Sequence, residues 1–210
     1  MREMSATGIT AAPSVSVVMP AYNATRTIET SIYSVLRQSL RDFELIVVDD
    51  GSTDGTPDLV RELASMDSRV RLVSQQNAGP SSARNRGVHL AKAEIVAFLD
   101  SDDEWSNDHL ECHVPVLAAD PELGVSFSPC EFMSVTGHLT GERSRLHQGN
   151  VTAADLLGSN PTTTCSSLVF RKAVFQRAGS MSNGMNYAED QEWLFRVVYS
   201  GWRIRSIDSR

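Results

Sequence analysis

The sequence predicts one α/β domain with a mostly parallel central sheet flanked by helices. Three observations lead there. Short continuous apolar runs, such as VSVVMPA at 15–21 and FELIVVD at 43–49, are the mark of strands buried on both faces. Between them lie stretches whose apolar residues recur at helical spacing. Strand and helix alternate, which implies parallel strands joined by right-handed crossovers. A length of 210 residues is enough for one domain with a real core.

The elements follow in order. After the first strand, Thr25–Leu40 carries Ile28, Ile32, Val35 and Leu36 on one helical face. After the second, Thr56-Pro57 reads as N-cap and first helical position, leading into Leu59, Val60 and Leu63. Val70–Val73 is a short third strand, and Gly79-Pro80 breaks the chain before a helical stretch to Lys92. Ile95–Asp100 is the fourth strand. Beyond residue 106 the pattern changes. A helix near Asn107–Ala119 contains Pro115, which should kink it. Gly124–Phe132 is a strand candidate, and 134–150 is polar and unassigned. Thr152–Leu157 reads as a short helix and Cys165–Phe170 as a strand. Lys172–Ala178 is a helix ended by Gly179. Ala188–Ser200 is a helix with Trp193, Leu194, Val197 and Val198 on its apolar side, and Trp202–Ile207 is a last strand. The second half completes the same domain. There is no internal repeat and no low-complexity linker.

Composition is that of a folded protein, 41% hydrophobic and 21% charged. The net charge of −7 gives no basic footprint for nucleic acid. The charge is unevenly placed. No Lys or Arg occurs between Lys92 and Arg143, a stretch with eleven carboxylates, among them Asp100, Asp102, Asp103 and Glu104. The remainder is net positive. A solvated acidic face or a metal site would account for that stretch. Cys112, Cys130 and Cys165 are an odd count without CxxC spacing, so a reducing compartment is expected, with neither a disulfide framework nor a zinc cluster. No apolar run approaches the roughly 20 residues of a membrane span. Residues 1–13 have Arg2 but no apolar core, and read as a disordered leader rather than a signal peptide. A cytoplasmic protein is expected, with a peripheral place at the inner face of a membrane as the alternative.

Ligands of an open parallel sheet bind beyond the carboxyl ends of its strands. Three polar clusters fall there: Pro20-Ala21-Tyr22-Asn23, Asp49-Asp50-Gly51-Ser52 and Asp100-Ser101-Asp102-Asp103. Neither GxxxxGK[ST] nor a GxGxxG after the first strand is present. A nucleotide in this cleft would need another counter-charge for its phosphates. Carboxylates two apart at a strand end can hold one hard divalent cation that bridges diphosphate oxygens. A capping carboxylate ahead of the next helix is the plainer reading of the same residues.

Five motifs, VSVVMPAYNAT, LIVVDDGSTDGT, NAGPSSARNRGV, IVAFLDSDDEW and AEDQEWLFRV, occur in this order from about residue 14 to about 202. Together they resemble glycosyltransferase family 2, the inverting transferases of the Rossmann-like GT-A fold. The resemblance implies a single GT-A-type domain over 14–210, with a nucleotide-binding half at 14–105 and an acceptor-side half at 106–210. It implies a nucleotide-sugar donor, in particular a UDP-sugar, and a saccharide or lipid-linked saccharide acceptor. The implied cofactor is a divalent metal, Mn2+ or Mg2+. By matching position, Pro20, Ala21 and Tyr22 line the nucleotide base, with the Tyr22 ring stacked on it or simply half-buried in a loop. Asp50 resembles the carboxylate that accepts the uracil N–H; a carboxylate only accepts, which suits that group. Asp49 more simply holds the turn. Gly79, Arg84 and Asn85 fall at ribose and diphosphate contacts, with Arg84 equally readable as a structural ion pair. Asp100, Ser101 and Asp102 match the metal motif, with Asp102 the direct ligand and Asp100 on ribose or on metal-bound water. Asp190 matches the general base that deprotonates the acceptor. Complementing the helix dipole is the plainer reading of Glu189 and Asp190. Trp193 is either a wall of the acceptor pocket or core.

His109 and His113, four apart on a helix without HExxH, are read as solvent-facing, and Cys165 lacks a base to make it a nucleophile. The QxxRW signature of processive relatives is absent, which implies transfer of single sugars. The sequence stops at Arg210, so a minimal member or a catalytic core cut from something longer is expected, with the acceptor side incomplete and the oligomeric state open. A sugar nucleotidyltransferase would need a Gly-rich basic loop where Ala21-Tyr22-Asn23-Ala24 stands. A non-catalytic or partner-dependent module that binds sugar nucleotides is the other rival.

Overall fold

The computed structural model describes residues 12–208 apart from 135, 159 and 186. The leader expected at 1–13 therefore lies almost wholly outside the described residues. A seven-stranded sheet forms the centre, built from β1 (Val15–Ala21), β2 (Phe43–Asp49), β3 (Val70–Ser74), β4 (Ile95–Phe98), β5 (Leu123–Phe127), β8 (Val169–Arg171) and β9 (Arg203–Ser206). The spatial order is β3-β2-β1-β4-β8-β5-β9. β8 runs antiparallel to β4 and β5, and the other pairings are parallel, so the sheet is mostly parallel as expected. A separate antiparallel pair joins β6 (Glu131–Met133) to β7 (Leu139–Arg143).

The two faces of the sheet carry two cores, because successive strand side chains point to opposite sides. Val15, Val17 and Met19 of β1 pack with Ile28 and Ile32 of α1 (Ile28–Leu36), Val60 of α2 (Thr56–Met66) and Leu117 of α4 (His109–Ala119). Val18 faces the other way, with Ala83 and Val88 of α3 (Pro80–Leu90), Val174 of α6 (Lys172–Ala178) and Leu194 of α7 (Glu189–Tyr199). Gly87 lets α3 lie flat on β1; a Cβ there would come 2.2 Å from Val18 Cγ1. Phe98, Phe170, Phe175 and Trp193 form one aromatic cluster, with Phe98 and Phe170 centroids 4.8 Å apart. Trp193 is fully buried, so of its two readings the core one holds.

Several expectations need correction. α1 is shorter than Thr25–Leu40. Pro115 lies inside α4, which continues to Ala119. The carbonyl that loses its partner belongs to Glu111, an exposed residue, so the loss falls where water can serve. The candidate strand 124–132 is two strands, split at Ser128-Pro129, because proline donates nothing to a ladder. Within 165–170 only Val169 and Phe170 are strand, and Cys165–Ser167 is a 3-10 turn. The short helix at 152–157 is α5 (Ala153–Gly158). His109 and His113 are not solvent-facing. Both are buried, His109 stacked on Trp105 with centroids 4.4 Å apart and His113 Nδ1 2.8 Å from Ser126 Oγ. Burial pushes the His109 imidazole down to about 3, and His113 is lowered for the same reason. The three cysteines are free.

Candidate active site

The parallel strands deliver their last residues to one edge, where a cleft of about 500 Å3 opens. It is lined by Pro20 and Ala21 at the end of β1 and Tyr22 beyond it, Asp50 beyond β2, and Asp100, Ser101 and Asp102 beyond β4. Asn77, Gly79, Pro80 and Arg84, from the β3–α3 loop and α3, complete it. Of the residues expected to bind nucleotide or metal or to act as base, the cleft brings together all but two. Asn85 and Asp190 are not among the lining residues. Asn85 is turned to the 181–183 segment, donating to Met181 O at 2.8 Å and accepting from Met181 N at 2.9 Å. It latches that segment to α3 and does not face the cleft.

Loops from neighbouring strands are stitched to each other. Tyr22 is 53% exposed, its ring free to receive a flat partner. Asn23 follows it in left-handed backbone, φ 50, with Oδ1 accepting from Thr53 N at 2.8 Å. Asp49 holds the turn, accepting from Ser52 N at 3.1 Å. Asp50 is buried and accepts from Gln75 Nε2 (2.7 Å), Ala78 N (3.0 Å) and Gly79 N (2.8 Å). Gly79 has φ +88, which turns its N–H onto that carboxylate at no steric cost. A carboxylate offers about four acceptor directions, so Asp50 keeps one for a ligand N–H.

Arg84 is the positive centre. Its Nη2 lies 2.6 Å from Asp100 Oδ1 and its Nη1 3.2 Å from Glu189 Oε1. Of its two readings, the ion pair is therefore present. Burial works against its charge, but Asp100 and Glu189 more than offset that and hold the guanidinium above its ordinary value. This pairing also ties the first turn of α7 to the end of β4, beside Cys165. The β4 end is fixed from below. Ser166 Oγ accepts from Asp100 N at 2.9 Å and donates to Asp103 Oδ2 at 2.6 Å, while Trp105 Nε1 donates to Ser166 O at 2.7 Å. Burial raises Asp103, with Asp100 and Asp102 pushing the same way against the Ser166 hydrogen bond.

Sequence reasoning passed over Gln75, Asn77, Asn160, Thr164 and Ser166. For Asn160, Thr164 and Ser166 the signal was the run NPTTTCSS at 160–167, rich in small hydroxyl-bearing residues just before a buried strand. A second cavity of about 480 Å3 adjoins on the other side of the 100–106 loop, under the β6–β7 hairpin. Trp105, Glu104, Cys130, Glu131 and Ser166 are among its walls.

Among the described residues no three His, Cys, Asp or Glu side chains form a cage for a metal. The donors do suit a shared ion. Asp102 is exposed on the cleft and Asp100 spends only Oδ1 on Arg84. Mg2+ and Mn2+ prefer such sites, one or two carboxylates with phosphate and water for the rest.

The mostly parallel sheet with this acidic, aromatic-edged cleft at its carboxyl edge defines a GT-A-type fold. Residues 16–179 match the pattern described as Glycosyl transferase family 2, and the chain belongs to that family. It is 47% identical over 100 residues to TuaG of Bacillus subtilis, a glycosyltransferase provisionally assigned to teichuronic acid biosynthesis; that match covers 47% of this chain and 40% of TuaG. It is 43% identical over 104 residues to WfgD of Escherichia coli, named UDP-Glc:alpha-D-GlcNAc-diphosphoundecaprenol beta-1,3-glucosyltransferase, covering 49% of this chain and 40% of WfgD. The matched stretch thus spans about two fifths of these relatives. Residues 1–349 of Staphylococcus aureus TarS, crystallised with UDP-GlcNAc, superpose with a TM-score of 0.72 at 25% identity, covering 94% of this chain and 59% of that one. The Pyrobaculum calidifontis mannosyltransferase PcManGT, solved with GDP-Man and Mn2+, shares the fold at a TM-score of 0.69 and 23% identity, covering 95% of this chain and 56% of that one.

No helix among the described residues is long and apolar enough to cross a membrane.

Proposed function

We propose that the chain carries the donor site and reaction centre of an inverting glycosyltransferase that moves one sugar from a UDP-sugar to an acceptor hydroxyl. The observation that carries this reading is the convergence of Tyr22, Asp50, Asp100 and Asp102 on one cleft around a buried Arg84. The UDP-GlcNAc bound by TarS and the UDP-Glc in the name of WfgD support the choice of uridine. Tyr22 stacks on the base and Asp50 accepts its ring N–H through the acceptor direction left open. Pro20, Ala21, Gly79 and Ser101 shape the walls. Asp102, with Asp100, is the place for Mn2+ or Mg2+, which when bound neutralises the departing diphosphate.

In the transfer, the acceptor oxygen bonds to the anomeric carbon as the bond to the diphosphate breaks. The diphosphate keeps that electron pair and Asp190 takes the acceptor proton. One displacement inverts the centre and leaves no covalent sugar–enzyme species. The acceptor hydroxyl would approach at the first turn of α7, where Asp190 stands. The WfgD name supports a lipid-linked saccharide there, and with it a cytoplasmic protein working at the inner membrane face.

The test is UDP release from a panel of UDP-sugars. Asp190→Asn should lower turnover by about a hundredfold or more while UDP affinity stays. Full turnover in that variant would remove Asp190 from the role. UDP binding without release or transfer from any donor would favour a partner-dependent binding module instead.

A further inference from the structure

The Asp190 carboxylate is held once from within its own helix and once from outside it. Its Oδ1 accepts the backbone N–H of Gln191 at 2.8 Å, and its Oδ2 accepts Asn160 Nδ2 at 2.6 Å. Asn160 is fixed in turn from its other end. Its Oδ1 accepts both the backbone N–H of Thr162 at 3.1 Å and the Thr162 hydroxyl at 2.8 Å. Of the side chains of this length, only an amide donates to a carboxylate and accepts from an N–H at once. Aspartate would set two carboxylates face to face. Alanine would leave the Thr162 N–H and Asp190 Oδ2 without these partners.

The supporting turn is rigid and strained. Thr164 N donates to Thr162 O at 2.8 Å across Thr163, whose φ is 66. Ser167 Oγ closes it by donating to Thr162 O at 2.9 Å and Thr164 O at 3.0 Å. A β-branched residue rarely takes positive φ, and such a turn costs about 1–3 kcal/mol. Ala188, just ahead of Glu189, has φ 58. Both segments that meet at Asp190 and Asn160 thus contain left-handed non-glycine backbone.

Resting on the reading of Asp190 as base, we propose that Asn160 is its positioning residue, aiming the carboxylate through the Nδ2–Oδ2 hydrogen bond. The other charges near Asp190 are accounted for. Glu189 is paired with Arg84, Asp100 lies on the far side of Arg84, and Glu192 is paired with Arg196 on α7 itself. The Cys165 thiol faces it from the 3-10 turn and is kept neutral by burial. On α5, which packs against α7, Asp155 is turned to Thr152.

The test uses Asn160→Ala, Asp190→Asn and the double variant in the full chain, with UDP affinity, the kcat and KM of UDP release, and Tm as readouts. For Asn160→Ala we expect UDP affinity and KM within about twofold of wild type and kcat lowered about tenfold or more. In the Asp190→Asn background the same change should lower kcat no further, because Asn160 acts through the carboxylate. A merely structural role would lower Tm and lower kcat by the same factor in both backgrounds, and that result overturns the inference. If Asp190→Asn retains turnover, the base assignment itself fails. If it loses turnover while Asn160→Ala keeps the wild-type kcat, only the positioning role fails.

Discussion

Residues 14–105 and 106–208 build the same sheet by different means. The first region uses parallel strands buried on both faces, joined by helices that each cover one face. The second uses one reversed strand, a hairpin exposed on both sides, short helices and turns tied by hydroxyl groups. The first region is thus held by core throughout. The second shares that core through β5, β8, β9, α6 and α7, while its hairpin and turns are held to it by hydrogen bonds and ion pairs. Left-handed non-glycine backbone among the described residues occurs at Asn23, Thr163 and Ala188, near Tyr22, Asn160 and Asp190, the residues given roles in the proposed site.

Phe98 of β4 packs on Phe170 of β8 and is fully buried, so it belongs to both regions. Phe98→Ala should cost about 4 kcal/mol, read as a fall in the urea midpoint, and unfold both regions together. Two separate transitions would mean the regions are independent. Arg84→Met should cost about 3 kcal/mol, because it leaves Asp100 and Glu189 facing each other without their cation. A calorimetric scan that shows no loss would make that pair a surface contact in energetic effect.

Acid should act on the second region first. His109 titrates at about 3 when folded, against 6.5 for the ordinary imidazole. Between those values the unfolded chain binds more protons, so stability rises with pH and is lost as pH falls below about 6.5. The slope is at most about 1.4 kcal/mol per pH unit for this histidine, and His113 adds in the same direction. His109→Leu should flatten urea midpoints measured between pH 7 and pH 5. The smallest effect belongs to the hairpin. Leu139 is 63% exposed, so Leu139→Ala should change stability by less than about 0.5 kcal/mol. Its amides should exchange with solvent long before those of β1.

The same contrast decides what could be read from the sequence. VSVVMPA and FELIVVD announce themselves because a strand buried on both faces is apolar throughout. Glu131–Met133 and Leu139–Arg143 carry no such pattern because neither face of that pair is covered. Cys165–Ser167 looks like a strand beginning, yet its hydroxyls bond Thr162, Thr164 and Asp103 and wind it into a turn. His109 and His113 are polar by type and buried by stacking, which spacing along a helix does not reveal. The strand-end residues of the cleft were legible because topology alone brings them together. Asn160 was not, because its partner lies thirty residues on and only the folded turn aims it.

The central claim is that the carboxyl edge of the sheet is a metal-assisted uridine diphosphate site. Calorimetric titration of UDP with and without Mn2+, on the wild type and on Asp102→Asn, tests it most directly. Binding should tighten about tenfold or more with Mn2+ in the wild type, and Asp102→Asn should abolish that gain. UDP that fails to bind, or that binds equally well with and without the ion, would contradict the account.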